Sequence, residues 1–392
     1  MKKKNPLYNA LESWLGQAQE WQHLSHLKTC IWMITALSYT GSVNLTKWTV
    51  YIPSRGQFAQ SKQRRMRRWL NNARINVHRI YSCLITSALA GWEEAVIYLA
   101  LDTSLFWEEY CLIRLCVVDR GRALPVVWRV QKHKSASVKF AAYQEMLMQA
   151  RSRLPKGVKI VLLADRGFVH ARLMRLCTEK LGCHYRIRVK NNCWVWRNGK
   201  GWSQLKDFHL NRGEALCLQG VRIHKGDNYG FVNIIVGRNN INGEFWAVVS
   251  DEKVNLQTFH EYGLRFDIEE NFLDDQSSGW NLQRSEIRDV CGLSRLCFIL
   301  SVATLYSTAQ GIAVVESGKR RSIDTHWFRG NSYFRIGCDW IKSALVNCLT
   351  LICQVRFSRN FDPEPAMASR SQHHKRLYRL EFTIHTYQYA SP

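Results

Sequence analysis

The sequence has no Cys-x-x-C pair, no Gly-x-x-x-x-Gly-Lys-[Ser/Thr] motif and no Gly-x-Ser-x-Gly motif. The first absence, with an odd count of 13 scattered cysteines, argues against a zinc ribbon and against a disulfide framework, so a reduced, cytoplasmic setting is expected. The other two argue against nucleotide-driven motors and Ser-His-Asp hydrolases. His23, His26 and Cys30 share a helical spacing, but no fourth ligand is in view and they read as ordinary helix content. Long apolar runs are missing as well. The longest, from about Leu296 to Ala309, is broken by Ser301, Thr304, Ser307 and Thr308 and is too short to span a bilayer, so no membrane partner is expected. The basic start, Met1 to Lys4, has no apolar stretch or cleavage site behind it and does not read as an export signal. Acidic residues are scarce: 31 Asp and Glu stand against 55 Lys and Arg, a net charge of +24. That balance suits a polyanionic partner such as nucleic acid.

With 392 residues, 46% of them hydrophobic, the chain is long enough for two or three domains with a sizeable core. From about Leu24 to Ala90 it reads as short amphipathic helices separated by polar breaks at Tyr39–Ser42 and Ile52–Gly56. Within this stretch Arg64, Arg65, Arg67 and Arg68 lie on one expected helix, followed by Arg74, His78 and Arg79. A charge run is usually a solvated face, but no acidic residue lies between Arg55 and Tyr81 to pair with these cations. A helix set against DNA phosphates, with Trp69 packing behind it or stacking, is the favoured reading.

The run Ala95–Leu101 is continuously apolar, as in central strands, and stops at Asp102. Two more strands, Tyr110 to Val118 and Ala123 to Val130, flank the turn Asp119-Arg120-Gly121-Arg122 and complete an antiparallel meander. A helix over Ser137–Arg151, a strand over Val158–Ala164 ending in Asp165, a helix near Ala171–Leu181 and a strand at His184–Val189 follow. The order β-β-β-α-β-α-β is that of an α/β, ribonuclease-H-like core. Short β-rich stretches then read as an all-β insertion. Helical periodicity returns from about Leu256 to Thr308 and again at about Ile336–Val355, ahead of a polar, loosely ordered tail with the basic run His373–Arg376. The expected divisions are 1–92, a helical DNA-binding domain; 93–190, the first part of the core; 191–252, the β-rich insertion; 253–310, the helical second part; and 311–392, a C-terminal helical region and basic tail.

A β-β-α-β path returns Asp102 and Asp165 to the same sheet edge. A lone aspartate there is usually a strand-end cap, but two side by side repel and call for a divalent cation. A third carboxylate would complete a site for two metal ions. At about 100° per residue, Tyr262, Arg265, Glu269 and Gln276 fall within roughly 60° of one another on a helix. Leu264, Ile268 and Phe272 form the apolar row that docks it. Glu269 is therefore the best-placed third ligand, while Asp267, Glu270, Asp274 and Asp275 point elsewhere. Trp246, on a β-rich stretch, is either a stacking platform for a flipped DNA base or a buried strand aromatic.

Tyr262, Arg265 and Glu269, with Asp165-Arg166-Gly167-Phe168 and Leu101-Asp102-Thr103-Ser104, resemble the DDE transposases of bacterial insertion sequences. The similarity is to the insertion-sequence-four group and its Y-x-x-R-x-x-x-E-x-x-x-x-x-x-K signature, and it extends from about Leu24 to Arg288. Gln276 stands where that signature has lysine. The resemblance implies cut-and-paste transposition by in-line phosphoryl transfer, with Asp102, Asp165 and Glu269 holding two Mg²⁺ ions for which Mn²⁺ can substitute. It further implies that Arg265 clamps a DNA phosphate, that Tyr262 bonds the same backbone, and that the partners are double-stranded terminal inverted repeats and target DNA. Pairing two ends calls for a homodimer. Arg284 or Arg288 is available to replace the missing lysine charge. A nuclease of the same fold without strand transfer, or a DNA-binding descendant without catalysis, are the alternative readings.

Overall fold

Five helices open the chain: α1 (Pro6–Leu15), α2 (Leu24–Thr40), α3 (Leu45–Trp48), α4 (Ala59–Leu70) and α5 (Val77–Leu89). The start of α1 is set locally, because Pro6 begins its first turn and the Asn5 side chain accepts from the backbone N–H groups of Leu7 and Tyr8. The computed structural model describes residues 5–53, 58–223, 229–240, 242–325, 331–357, 363 and 383–389. The polar break expected at Ile52–Gly56 lies partly outside these residues, and the basic run His373–Arg376 wholly so.

The middle of the chain alternates apolar runs with turn residues and forms a large mixed sheet. In chain order come β1 (Val96–Phe106), β2 (Tyr110–Asp119), β3 (Arg122–Lys132), α6 (Gln144–Arg151), β4 (Lys159–Ala164), α7 (Ala171–Arg175) and β5 (His184–Arg188). Next are β6 (Trp194–Arg197), β7 (Gly201–Gln204), β8 (Glu214–Ile223), β9 (Val232–Arg238), β10 (Phe245–Ser250), α8 (Leu256–Gly263) and α9 (Asp267–Leu273). The long α10 (Val290–Glu316), α11 (Tyr333–Asn347) and β11 (Thr383–Gln388) complete the described elements. The strand order is β3-β2-β1-β4-β5-β10-β9-β8-β6-β7, with β11 beside β8. β1, β4 and β5 run parallel, and β1, β2 and β3 form the expected antiparallel meander.

Several expectations need correction. The strands of 191–252 extend the same sheet, because β10 pairs antiparallel with β5, placing Val248 opposite Arg188. β5 is thereby paired on both sides, with β4 and β10, which satisfies the backbone groups along both of its edges. The helices of 1–92 share one contiguous hydrophobic core with the sheet and with α10 rather than enclosing a core of their own. Part of the tail expected to be loosely ordered is β11, paired parallel with β8 from Thr383 opposite Glu214 to Gln388 opposite Gln219.

The apolar stretch near residues 296–309 is longer as a helix than its sequence suggests. α10 has 27 residues and is long and apolar enough to cross a membrane, yet 94% of its most apolar window is buried inside the fold. A helix that is apolar all round either crosses a bilayer or sits at the centre of a core, and here α2, α4, α5, α11 and β3 surround it. Its contact with α11 is backbone to backbone. A Cβ on Gly311 would lie 1.8 Å from the carbonyl oxygen of Tyr333, and one on Gly337 would lie 1.7 Å from that of Ser307.

Candidate active site

β1 and β4 are parallel neighbours whose pairing ends with Leu101 opposite Ala164. The next residue on each is an aspartate, so Asp102 and Asp165 stand side by side where β4 stops. β1 itself continues to Phe106 because its hairpin with β2 is longer, so Asp102 lies within a strand, opposite Arg114 of β2. That corrects the expectation of a strand end for Asp102. Asp165 does lie just past its strand, ahead of the tight turn Arg166–Phe168.

The third component comes from the helical segment after β10. Asn255 caps α8, and its backbone N–H is held in turn by Thr258. The helix tightens through a 3₁₀ turn at Leu264–Phe266, continues as α9, and widens into a π-helical turn at Asp274–Ser278. Ile268 and Phe272 are buried against the core, which points Tyr262, Arg265 and Glu269 at the aspartates. The Tyr262 hydroxyl donates to Asp165 Oδ1 at 3.3 Å and accepts from Arg265 Nε at 3.2 Å. Arg265 Nη1 donates to Asp102 Oδ2 at 2.7 Å, and Nη2 to Glu269 Oε1 at 2.5 Å. The other oxygen of Asp102 accepts from the Thr103 N–H at 2.8 Å.

Electrostatics follow from this crowding. Burial pushes the Asp102 carboxyl up to about 6; Arg265 and the Thr103 N–H pull it down, while Glu269 and Asp165 add to the rise. Burial works against charge on Arg265, but Tyr262, Asp102, Glu269 and Asp165 outweigh it and hold the guanidinium above its ordinary value. Burial pushes the Tyr262 hydroxyl up to about 12, so it remains a donor at neutral pH. Three carboxylates therefore share one cation, leaving an excess of negative charge.

The three carboxylates are hard oxygen donors of the kind Mg²⁺ and Mn²⁺ take. The Arg265 guanidinium lies between Asp102 and Glu269 and is bonded to both. Among the described residues no three His, Cys, Asp or Glu side chains are grouped to hold a metal.

The other expected site residues divide. Gln276 donates to Ser104 Oγ of β1 at 2.5 Å, beside the cluster. Arg64, Arg67 and Arg68 are exposed on α4, whose Met66, Trp69 and Leu70 are buried on the opposite side. Arg65 is turned inward, with Nε on Thr29 Oγ1 at 3.0 Å. Trp69 packs behind α4: its indole N–H donates to the His26 carbonyl at 2.9 Å and its ring stacks on Phe298. His26 lies 3.2 Å from Asn72, and Cys30 is buried in the core. Trp246 is not a surface platform. It is 5% exposed and packs edge-on against Phe259 and Tyr262, with Arg188 over its ring. It is a wall behind Tyr262, because its strand position faces inward.

Sequence reasoning missed the support beneath this cluster. Arg114, fully buried, lies 2.5 Å from Asp275 Oδ2 and donates to Asn271 Oδ1 at 2.7 Å. Arg122 of β3 lies 3.4 Å from Asp274 and 3.5 Å from Glu270. These pairs tie α9 and its π turn to β2 and β3. Only the unusual density of acids in Glu269–Asp275 hinted at them.

No family model matches the chain, and no curated protein matches it. Among solved structures it is similar to the piggyBac transposase in a synaptic complex with hairpin DNA. The TM-score is 0.43 at 7% identity, over 88% of this chain and 79% of that one.

Proposed function

We propose that the chain is a DNA transposase of the DDE type, cutting transposon ends and joining them to target DNA by phosphoryl transfer. The observation that carries this reading is the in-register adjacency of Asp102 and Asp165 on parallel strands, with Tyr262, Arg265 and Glu269 hydrogen-bonded into the same cluster. The strand order β3-β2-β1-β4-β5 supports a ribonuclease-H-like core, and β6 to β10 an insertion that extends its sheet. The excess of 55 basic over 31 acidic residues supports a nucleic-acid partner.

In this reading Asp102, Asp165 and Glu269 would hold two Mg²⁺ ions, which would supply Lewis-acid stabilisation of the attacking and leaving oxygens. Arg265, freed from Asp102 and Glu269, offers its planar fork to a phosphate of the cut strand, and Tyr262 orients it. Arg64, Arg67 and Arg68 grip duplex phosphates from α4. The substrates are terminal inverted repeats and target DNA, paired by a homodimer at the bacterial nucleoid in the cytoplasm.

The test is cleavage of a labelled duplex carrying the element's own ends, with Mg²⁺, by wild type and by Glu269→Gln. Metal-dependent cutting and joined products that vanish in the variant are expected. Cutting without joined products would make the chain a nuclease, and cutting that survives in the variant would sink the site assignment.

A further inference from the structure

A cleft of about 260 Å³ opens between the helical region and the segment that follows the π turn. Arg67 and Asn71 line it from the end of α4, Asn44 from the cap of α3, and Arg284 and Arg288 from the opposite wall. Among the described residues neither Arg67 nor Arg284 is in an ion pair. Glu286 and Asp289 also line the cleft, but the Asp289 carboxylate is engaged by the Gly292 N–H as the cap of α10. Arg67 belongs to the same exposed face of α4 as Arg64 and Arg68, so the cleft continues that cationic stripe.

The cleft is also tied to the carboxylates through one rigid element. β1 carries Asp102, then Ser104 held by Gln276, and ends at Phe106. The next residue, Trp107, donates its indole N–H to the Gln283 carbonyl at 3.2 Å and lies under the Arg288 guanidinium, 3.7 Å from its ring centre. Tyr110 fixes the same segment by donating to the Arg288 carbonyl at 2.5 Å. The path from Asp102 to Trp107 is five residues of extended chain, roughly 16 Å at about 3.3 Å per residue.

We propose that this cleft holds the sugar–phosphate backbone of duplex DNA on the flank of the phosphate presented to Asp102 and Asp165, with Arg67, Arg284 and Arg288 as its cations. The proposal rests on the DNA-processing reading above and carries the α4 grip of Arg67 across the cleft to Arg284 and Arg288. Two separated grips fix the direction in which the duplex crosses the sheet edge, which a single cluster of carboxylates cannot do.

The experiment measures the affinity of the full chain for a labelled duplex of arbitrary sequence, without divalent metal, over a range of salt concentrations. Wild type is compared with Arg67→Ala/Arg284→Ala, with Arg67→Lys/Arg284→Lys, and with Lys156→Ala. Lys156 precedes β4, at the opposite end of that strand from Asp165. Loss of two phosphate contacts lowers the slope of log affinity against log salt by about 1.8. The lysine pair restores most of that slope, because a phosphate accepts any cation, and Lys156→Ala leaves it unchanged. An unaltered slope in the alanine pair, or an equal drop in Lys156→Ala, would overturn the cleft and Arg67's share of the α4 grip, while leaving the carboxylate site of the transposase reading standing. Absence of salt-dependent DNA binding by wild type would overturn both. Duplex RNA of the same sequence is measured in parallel, and variants that weaken RNA binding while sparing DNA would overturn the choice of DNA.

Discussion

Asp275→Asn should be among the most damaging single changes outside the carboxylate cluster. Arg114 has a fully buried side chain and Asp275 is 2% exposed, with 2.5 Å between them. Asn271 takes one hydrogen bond at 2.7 Å, and the Phe272 ring lies under the guanidinium at 5.4 Å. Arg114 Nε and Nη2 have no hydrogen-bond partner among the described residues. Asparagine keeps the volume of Asp275 but strands the guanidinium in the core, and breaking a buried pair in this way costs roughly 3–5 kcal/mol. Because the pair is incompletely hydrogen-bonded, its desolvation cost is poorly offset. Arg114→Met with Asp275→Leu removes that cost and should return to within about 1–2 kcal/mol of wild type. Urea unfolding followed by the fluorescence of the 15 tryptophans gives midpoints and slopes for all three proteins. A loss below about 1 kcal/mol in Asp275→Asn, or a double variant no more stable than the single, would refute the assignment of this pair.

Gly311→Ala places a methyl 1.8 Å from the Tyr333 carbonyl, forces α10 away from α11, and should cost about 3 kcal/mol or more; an unchanged urea midpoint would contradict the close approach. His78, packed on Trp128 with Ser294 at 3.4 Å, has its pKa lowered to about 4 by burial, with Arg153 and Arg295 adding to the effect. Unfolded it titrates near 6.5, so between those values the unfolded chain binds the extra proton and stability falls as the pH drops through the window, by roughly 3 kcal/mol in all. His78→Asn should flatten that part of the curve; a stability difference between the two proteins that stays constant from about pH 7 to about pH 4 would rule it out. Gln276→Lys adds a cation beside Ser104 and, in the transposase reading, should steepen the salt dependence of binding to cleaved ends by about 0.9. An unchanged slope would mean that position 276 meets no phosphate.

Much of the sheet was legible because its signals are local. The apolar runs before Asp102 and Asp165 mark central strands, and the meander follows from the turn at Asp119–Arg122. Tyr262, Arg265 and Glu269 were placed on one face by helical periodicity alone, and the bonds from Arg265 to both neighbours agree with that placement. The face did not require a regular helix: a 3₁₀ turn and a π turn interrupt it, yet residues three and four apart remain neighbours.

Chain order and periodicity alone determined which residues lie on the same strand, helix face or turn, since those relations depend only on backbone geometry over a few residues. Partner choice across the fold was decided by tertiary structure. Nothing near Arg265 in sequence announces that its fork reaches Asp102, and nothing near Arg114 points to Asp275. Arg65 and His78 read as members of a cationic face but turn inward, because Thr29 and Trp128 are supplied by elements remote in sequence. Trp246 became a buried wall, and α10 a core helix, for the same reason. An apolar side chain fits many environments equally well, and only the packed neighbours decide which one it occupies.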